Sequence, residues 1–484
     1  MRKRFEQQIQ IGQLLIEDTE ISKKCRHSLV ELMAALKVIF TNTEYNEKVF
    51  NILDEALCKN KKKTGRNGMS LWQLFVLSQV RLCSNASYDE VHYISNHDKL
   101  VRQIMGVERE SWCEQINFEY QNIYDNLTLL NDKTIRELND VIVAFGHEVF
   151  KKKEQAALHL KTDSFVVESN VHFPTDYNLL WDCARKTLDG ISKYVEKYDQ
   201  IKGWRKIKDW RYQIKSLMRE LGRASASGGK NKEIRLQKAA GDYIEKANLL
   251  VYKVENEIFE FPIEDNQDIA FRESILHYLG LMKKHINLVN RRIIKGEQIP
   301  HAEKMFSIFE TYTEMIKKGK THPNVEFGKK LAITTDQFHL IIEYQLMENE
   351  QDRDIVKELK NRILKQFGIF SWSFDKGFWL KENKETLQEI VPEVIMPKLG
   401  KRNQEEEQEE TSKKYIRQKN KHSAIESNIN ELENRGLNRC PDKGYKNFKR
   451  YVGLAILAYN IKKIGRELLR LERERLEIQA NKAA

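Results

Sequence analysis

The chain has 484 residues, with 82 Lys plus Arg against 71 Asp plus Glu, a formal charge of +11. That length exceeds one ordinary hydrophobic core and predicts two or three domains. The cationic surplus suits an anionic partner, most commonly nucleic acid, and equally an ordinary basic protein. Six dispersed cysteines (25, 58, 83, 113, 183 and 440), with no CxxC pair and no nearby Cys/His set, argue against structural zinc and against a disulfide framework. The longest apolar run, Val452 to Tyr459, has eight residues and cannot span a bilayer. The opening MRKR is followed by IQIGQLLIE, which is broken by glutamines and too short for a signal peptide. A soluble cytoplasmic protein with no membrane association is expected.

Residues 1–150 contain no proline and read as an all-helical domain. Leu29, Leu32, Met33, Leu36 and Ile39 recur at helical spacing. Gly65 to Gly68 predicts a turn, and Ser70 is a suitable N-cap for SLWQLFVLSQVRL. SYDE, from Ser87 to Glu90, has capping-box form. Short helices with tight turns resemble a helix-turn-helix arrangement, although Trp72, Phe75 and Leu77 suit a core better than a DNA groove.

The next segment, AALHLKTDSFVVESN, alternates Leu158, Leu160 and Thr162 with His159, Lys161 and Asp163, which predicts a strand with a carboxylate on its polar face. From Thr175 to about Thr321 the chain reads as helical and is rich in Lys, Arg and Tyr. Trp204, Ile207, Trp210 and Ile214 share one face, with Arg205, Lys206, Lys208 and Arg211 over the remainder. The basic turn GRASASGGKNK, including Arg223 and Lys230, is either a solvated hinge or a loop able to approach a phosphate backbone.

Strands then return. VEFGKKLAITTDQFHLIIEYQLME predicts a hairpin turning near Thr335 to Phe338, and Glu350 to Gln366 predicts a helix. In GIFSWSFDKGF, Ile369, Ser371, Ser373 and Asp375 share one face. Phe370, Trp372 and Phe374 form the bulky core face, and Gly377 is expected to free the backbone to turn. VPEVIMPKLGK predicts a last strand, and EEEQEE at 405–410 a solvated connector. A helix from about Ser412 carries the stripe Ile425, Ile429 and Leu432 with Glu426 beside it, and a basic helix runs from Gly444 to Leu476.

This order (strand with Asp, helical block, hairpin, helix, strand with Asp, last strand, helix with Glu) resembles an α/β ribonuclease-H-like core. Such a core has a mixed sheet with flanking helices, here carrying a large helical insertion between its first two strands. The residue types suit two-metal phosphoryl transfer, in which paired Mg²⁺ ions activate a water or 3′-hydroxyl and stabilise the leaving oxygen. Mg²⁺ takes hard oxygen ligands and keeps several waters, so a few carboxylates suffice.

The blocks TDSFVVESNVHFPTDYNLLWD, HPNVEFGKKLAITTD, SFDKGF and HSAIESNINELENRGLNRCPDKGYKNFKRYVGLAILAYNI resemble those of bacterial DDE-type insertion-sequence transposases, in particular an ISNCY-like group. GRNGMSLWQLFVLSQVRL and NHDKLVRQIMG resemble that family's N-terminal region, so the likeness spans most of the chain.

The resemblance implies Asp163, Asp375 and Glu426 as catalytic metal ligands for Mg²⁺, with Mn²⁺ as a substitute and no nucleotide. It implies double-stranded DNA partners (terminal inverted repeats and target) and a homodimer or higher oligomer on DNA. The expected division is residues 1–150 for inverted-repeat binding, 151–175 for the first core strand, 176–321 for the insertion, 322–440 for the rest of the core and 441–484 for the basic C-terminal helix.

Some relatives carry a Tyr, Arg, Glu, Lys signature around the glutamate; here His422 and Glu433 stand at the Arg and Lys positions, so those roles are not transferred. His422 either touches phosphate or the leaving group, or is a surface histidine. Asp336 competes for the second aspartate but suits turn geometry. Asp176 competes with Asp163 but suits a helix start, and Glu168 and Glu431 read as structural. No P-loop forms at Gly319 to Thr321, because Glu314 stands where the first glycine is needed. Arg205, Lys206, Arg223, Lys230, Lys329, Lys330, Lys376, His422, Arg435, Arg439, Lys446, Lys449 and Arg450 are the candidate DNA contacts.

Overall fold

The structure, a computed structural model, describes residues 2–59, 68–152, 156–317 and 324–483. The turn expected at Gly65, the Pro323 boundary and the Lys320–Thr321 pair lie outside the described residues. Contacts divide the chain into two compact units, one of residues 1–170 and 316–484, the other of residues 171–315. The helical segment 1–150, expected to stand apart, therefore clusters with the sheet.

The first unit is mixed α/β. Its strands are β1 (Leu158–Ser169), β2 (Glu314–Lys317), β3 (Val325–Thr335), β4 (Ile341–Leu346), β5 (Ile369–Phe374), β6 (Glu393–Ile395) and β7 (Arg439–Cys440). They form one open sheet in the order β2-β3-β1-β5-β6, with β4 also paired to β3 and β7 to β1. β3 runs antiparallel to β1 and β4 antiparallel to β3, closing the expected hairpin. β5 is parallel to β1, and β6 parallel to β5. β2 has no counterpart in the sequence reading, being four residues at the end of a helical block.

The sheet's register is anchored from one face. Leu158, Leu160 and Thr162 are buried, as their alternation predicts. Thr162 Oγ1 lies 2.8 Å from Thr334 Oγ1 on β3 and accepts a 2.7 Å hydrogen bond from Trp372 Nε1 on β5. One buried hydroxyl thus ties three strands together, and Trp372 stacks on Phe374 at 5.0 Å beside it. Phe370, expected on this core face, is 42% exposed and meets the edge of the His159 ring. The β1–β5 register shifts between Ile369 and Ser371, so Ile369, expected on the other face, enters the core in place of Phe370.

Several boundaries differ from expectation for local reasons. The helix expected over 350–366 spans only Val356–Ile363, because Asp354 accepts from the Gln351 amide and closes a turn before it. The acidic stretch is a helix, Gln404–Thr411, and not a connector. Asn403 and Glu406 form a capping box, acids fill the first turn where the helix dipole favours them, and Lys398 and Arg402 pair with Glu406 and Glu410. The helix expected from Ser412 is two, Lys413–His422 and Ala424–Leu432, broken at Ser423.

The expected N-cap at Ser70 and capping box at Ser87 are present, and Ser70 also forms a capping box with Gln73. The helix Leu71–Cys83 is buried along its length except at Gln73, with Trp72 Nε1 donating to Ile104 O at 2.7 Å. A helix so enclosed has no face left for a DNA groove.

The C-terminal helix, Tyr445–Ala483, lies against the N-terminal helices. At the crossing with the helix Ser28–Thr41, a Cβ on Gly465 would stand 1.7 Å from the Glu31 carbonyl oxygen. Beside it Arg466 pairs with Glu31, and Lys462 with Glu431. Gly465→Ala should therefore force these helices apart and lower stability by about 1–3 kcal/mol in denaturant titration. An unchanged midpoint would contradict so close a crossing.

In the second unit the helices Asp176–Lys197, Ile207–Ala226, Lys232–Glu257 and Asn266–Val289 pack around a core that includes Leu188, Trp204, Ile214, Leu221 and Tyr243. Asp176 opens the first of these behind the N-cap Thr175, as expected.

Candidate active site

On β1 the face opposite the Thr162 anchor presents Lys161 and Asp163. β5 runs parallel to β1 with Lys161 beside Ser373 and Thr162 beside Phe374. Asp375, one residue beyond that pairing, therefore follows β5 on the side on which Asp163 follows Thr162. Asp163 stands in the middle of β1, where its pairing with β5 ends, and Asp375 directly follows the C-terminal end of β5, so the two carboxylates meet where the parallel strands part. Asp375 is exposed and leads into a single 3-10 turn, Lys376–Phe378, pinned by buried Phe378.

Glu426 is exposed in the first turn of the helix Ala424–Leu432. That helix is seated by Ile425, Asn428 and Leu432, and Asn428 Oδ1 meets Tyr459 Oη at 3.1 Å and His339 Nδ1 at 3.2 Å. The C-terminal helix and the hairpin turn thus fix the base from which Glu426 projects.

A fourth carboxylate, Asp352, has no place in the sequence reading. Ser164 Oγ donates to its Oδ1 at 2.6 Å, and Lys330 Nζ pairs with its Oδ2 at 2.5 Å. A Cβ on Gly377 would stand 2.9 Å from that second oxygen. Gly377 has no positive φ, so its glycine is explained by this close approach and not by the turn freedom expected of it. Asp352 thereby ties the residue after Asp163 to Lys330 on β3, and the turn after Asp375 passes close beside it. No local signal in its own stretch marks it, since its partners come from three other segments.

The electrostatics agree with this convergence. The Asp163 carboxyl is raised to about 7, first by burial and then by the negative charges of Asp375, Asp352 and Glu426; the Ser164 amide, donating at 2.7 Å, works against them. His422 is held down to about 4 by burial, with Lys161 adding to the effect and Asp375 opposing it. It is not a surface histidine: Nδ1 lies 2.9 Å from Ser373 Oγ, and buried Nε2 has no partner among the described residues. His159 Nδ1 meets Ser371 Oγ at 2.8 Å. The space that small residues leave on this face of β5 is thus occupied by two imidazoles.

The donor set, hard carboxylate oxygens, suits Mg²⁺ or Mn²⁺. As the side chains stand, no group of three or more His, Cys, Asp or Glu among the described residues could hold a metal ion. The acids share one electrostatic field without closing around a common point.

The competing aspartate, Asp336, is buried, accepts from the Phe338 and Leu340 amides and meets His147 Nε2 at 2.8 Å, as a turn residue would. Of the candidate DNA contacts, Arg450 is 3% exposed and binds Thr128 O, Asn447 and Asp442. Lys329 is also interior, with its ammonium over the Tyr445 ring. Arg435 donates to Cys83 O, Lys330 is held by Asp352 and Lys449 by Glu348. Interior packing and internal pairing take Arg450 and Lys329 out of reach of a phosphate. Lys376, Arg439 and Lys446 are exposed, as are Arg205, Lys206, Arg223 and Lys230 in the second unit.

No family model, curated protein or solved structure matches the chain. No described helix is long and apolar enough to cross a membrane.

The site can be probed through stability alone. A carboxyl raised from its unfolded value near 3.9 favours the folded state while protonated, and that contribution is lost as pH rises from about 4 through 7. In metal-free protein, Asp163→Asn should therefore match the wild type near pH 4 and exceed it above pH 7 by on the order of 2 kcal/mol, after discounting for solvent screening. A gap independent of pH would place Asp163 in an ordinary solvated setting. Asp352→Ala strands Lys330 and Ser164 and should cost about 1–3 kcal/mol, with Asp352→Asn costing less; equal losses would deny its bridging role.

Proposed function

We propose that the chain is a DNA transposase of the DDE type, cutting at the terminal inverted repeats of an insertion sequence and joining the freed 3′ ends to target DNA. The observation that carries this reading is the half-buried acid Asp163, which sits within the electrostatic reach of both Asp375 and Glu426, acids more than 200 residues further along the chain. The strand order supports a ribonuclease-H-like core. A hairpin lies on one side of the Asp163 strand and two parallel strands on the other, with the helical unit inserted after the first strand.

In this reading Asp163, Asp375 and Glu426 would hold Mg²⁺ or Mn²⁺, which when bound supplies an activated water or 3′-hydroxyl and charge stabilisation at the leaving oxygen. The chain's own groups do the rest. The sheet holds Asp163 in mid-strand beside the end of β5 that Asp375 follows, and the seated helix brings Glu426 in from a third direction. Asp352 ties β1 to β3 beside the β5 turn. His422 is kept neutral by burial and rests on Ser373 with its Nε2 enclosed, so it packs at the site without adding fixed charge. No nucleotide is needed, because transesterification exchanges one phosphodiester for another. Duplex DNA, a homodimer or larger assembly on two ends, and a bacterial cytoplasmic setting complete the proposal.

A second reading, a DNA-binding regulator of transposition without catalysis, draws support from the absence of a closed metal-ligand group among the described residues. Cleavage separates the two. With Mg²⁺ or Mn²⁺ and a duplex carrying the inverted repeats that flank the gene, the wild type should release 3′-hydroxyl ends and form joined products. Asp163→Asn, Asp375→Asn and Glu426→Gln should each lower that rate roughly 1,000-fold or more while end binding persists. Full activity in any one variant removes that residue from the site. Binding without cleavage by the wild type selects the regulator, and cleavage without joined products selects a nuclease.

A further inference from the structure

We propose that the solvent face of the helix Ile207–Ala226 is a docking surface for the phosphate backbone of duplex DNA, through Lys208, Lys215, Arg219 and Arg223 with Tyr212 among them. The choice of occupant rests on the nucleic-acid reading above; the surface itself rests on the second unit alone.

The helix separates its residues by face. Ile207, Ile214 and Leu221 are buried in the unit's core, at a seven-residue spacing that returns to one side of the helix. Lys208, Tyr212, Lys215, Arg219 and Arg223, spaced by three or four, fall on the nearly opposite side. All five are exposed, Tyr212 at 75%. The stripe covers about 22 Å of helix, the axial length of about six phosphates on one strand.

Among the described residues no acid pairs with Lys208, Lys215, Arg219 or Arg223; Lys215 lies over the Trp181 ring at 5.9 Å. Arg211, off the stripe, is the cation here that is neutralised, by Asp189 at 2.7 Å.

Most of these charges work against the helix that carries them, although the macrodipole favours Arg223 in the last turn and Asp209 in the first. Lys215 and Arg219, and Arg219 and Arg223, are like charges at i,i+4, which weaken a helix. Lys202, Arg205 and Lys206 crowd its N-terminus, where the macrodipole favours anions, and Lys206 at the N-cap makes no side-chain cap. Beyond the C-terminus, Lys230 and Lys232 follow Gly228 and Gly229, whose surroundings are open space, so the backbone there is free to approach a ligand. A line of unpaired cations that costs the helix stability is relieved by one kind of partner, a regular row of negative charge. Duplex phosphates fit its length, and Tyr212 adds a hydroxyl donor. The stripe has no large aliphatic residue to enter a bilayer.

The test uses the full chain with Lys208, Lys215, Arg219 and Arg223 changed together to Gln, and a labelled 30-base-pair duplex of arbitrary sequence as probe. Affinity is measured across a series of NaCl concentrations, and circular dichroism verifies retained helix. The variant should bind more weakly, with the slope of log affinity against log salt shallower by about 0.9 for each phosphate that is no longer neutralised. Restoring charge with Arg at all four positions should recover both. Unchanged affinity and slope in a folded variant overturn the proposal. So does a variant that loses binding to vesicles of 30% phosphatidylserine while its DNA binding is intact. The active-site reading fails separately: a wild type that never cuts DNA but shows the slope change keeps this surface and loses the transposase.

Discussion

A carboxylate placed on the central strand of a sheet is expensive to ionise, and the first unit is arranged around that fact. Asp163 is paired with Ile333 on β3, and Thr162 just before it is the last β1 residue paired with β5, so its backbone has little freedom to give the side chain more water. Burial contributes most to its raised pKa, and three further carboxylates add to it. Such a site is unfavourable for folding taken alone and has to be held by interactions elsewhere. The holding interactions lie directly beneath it. Thr162, Thr334 and Trp372 form a buried hydrogen-bonded set, and Trp372 and Phe374 supply apolar burial on the same side.

The strand alternation is what allows one segment to do both jobs. Leu158, Leu160 and Thr162 face the packing, while Lys161 and Asp163 face the site, so the residues that fix register and the residues that carry chemistry are neighbours in sequence and opposite in space. β5 repeats the device with Trp372 and Phe374 on one side and Ser371 and Ser373 on the other. Because β1 and β5 are parallel and paired from His159 to Thr162, Asp163 within β1 and Asp375 just after β5 come to the same end of that pairing. Asp352 then ties β1 to β3 there through Ser164 and Lys330, with Gly377 passing close beside it.

How much of this is legible in the sequence depends on how local each feature is. The Asp163 strand, the hairpin, the Ser70 and Ser87 caps and the Asp176 helix start are set by neighbours a few residues away, and periodicity and capping residues report them. The acidic helix at Gln404–Thr411 escapes such a reading because a run of glutamates looks solvated until its capping box and its lysine and arginine partners are seen together. Asp352 escapes it for a stronger reason: nothing in QDRD distinguishes it, and its role exists only where β1, β3 and the β5 turn meet. The sequence leaves the His422 imidazole open between surface and site, and only the packing of its helix against Ser373 puts it inside.

Net charge illustrates the same distinction. The surplus of +11 suggests an anionic partner, yet many of the cations nearest in sequence to the proposed site are engaged internally. Arg450 lies beside Asp442 with Arg81, Lys330 holds Asp352, Lys449 holds Glu348, and Lys462 sits against Glu431. Each such pair removes a cation from the field that a ligand would feel, whatever its contribution to the formal sum. What remains to act at a distance is the set with no internal acid, and in the second unit that set falls on one helix face in a continuous line. A formal charge therefore becomes informative about partners only after the interior pairs are subtracted, and the subtraction here thins the cations on the site's flanks in sequence while leaving Lys208, Lys215, Arg219 and Arg223 as a continuous line.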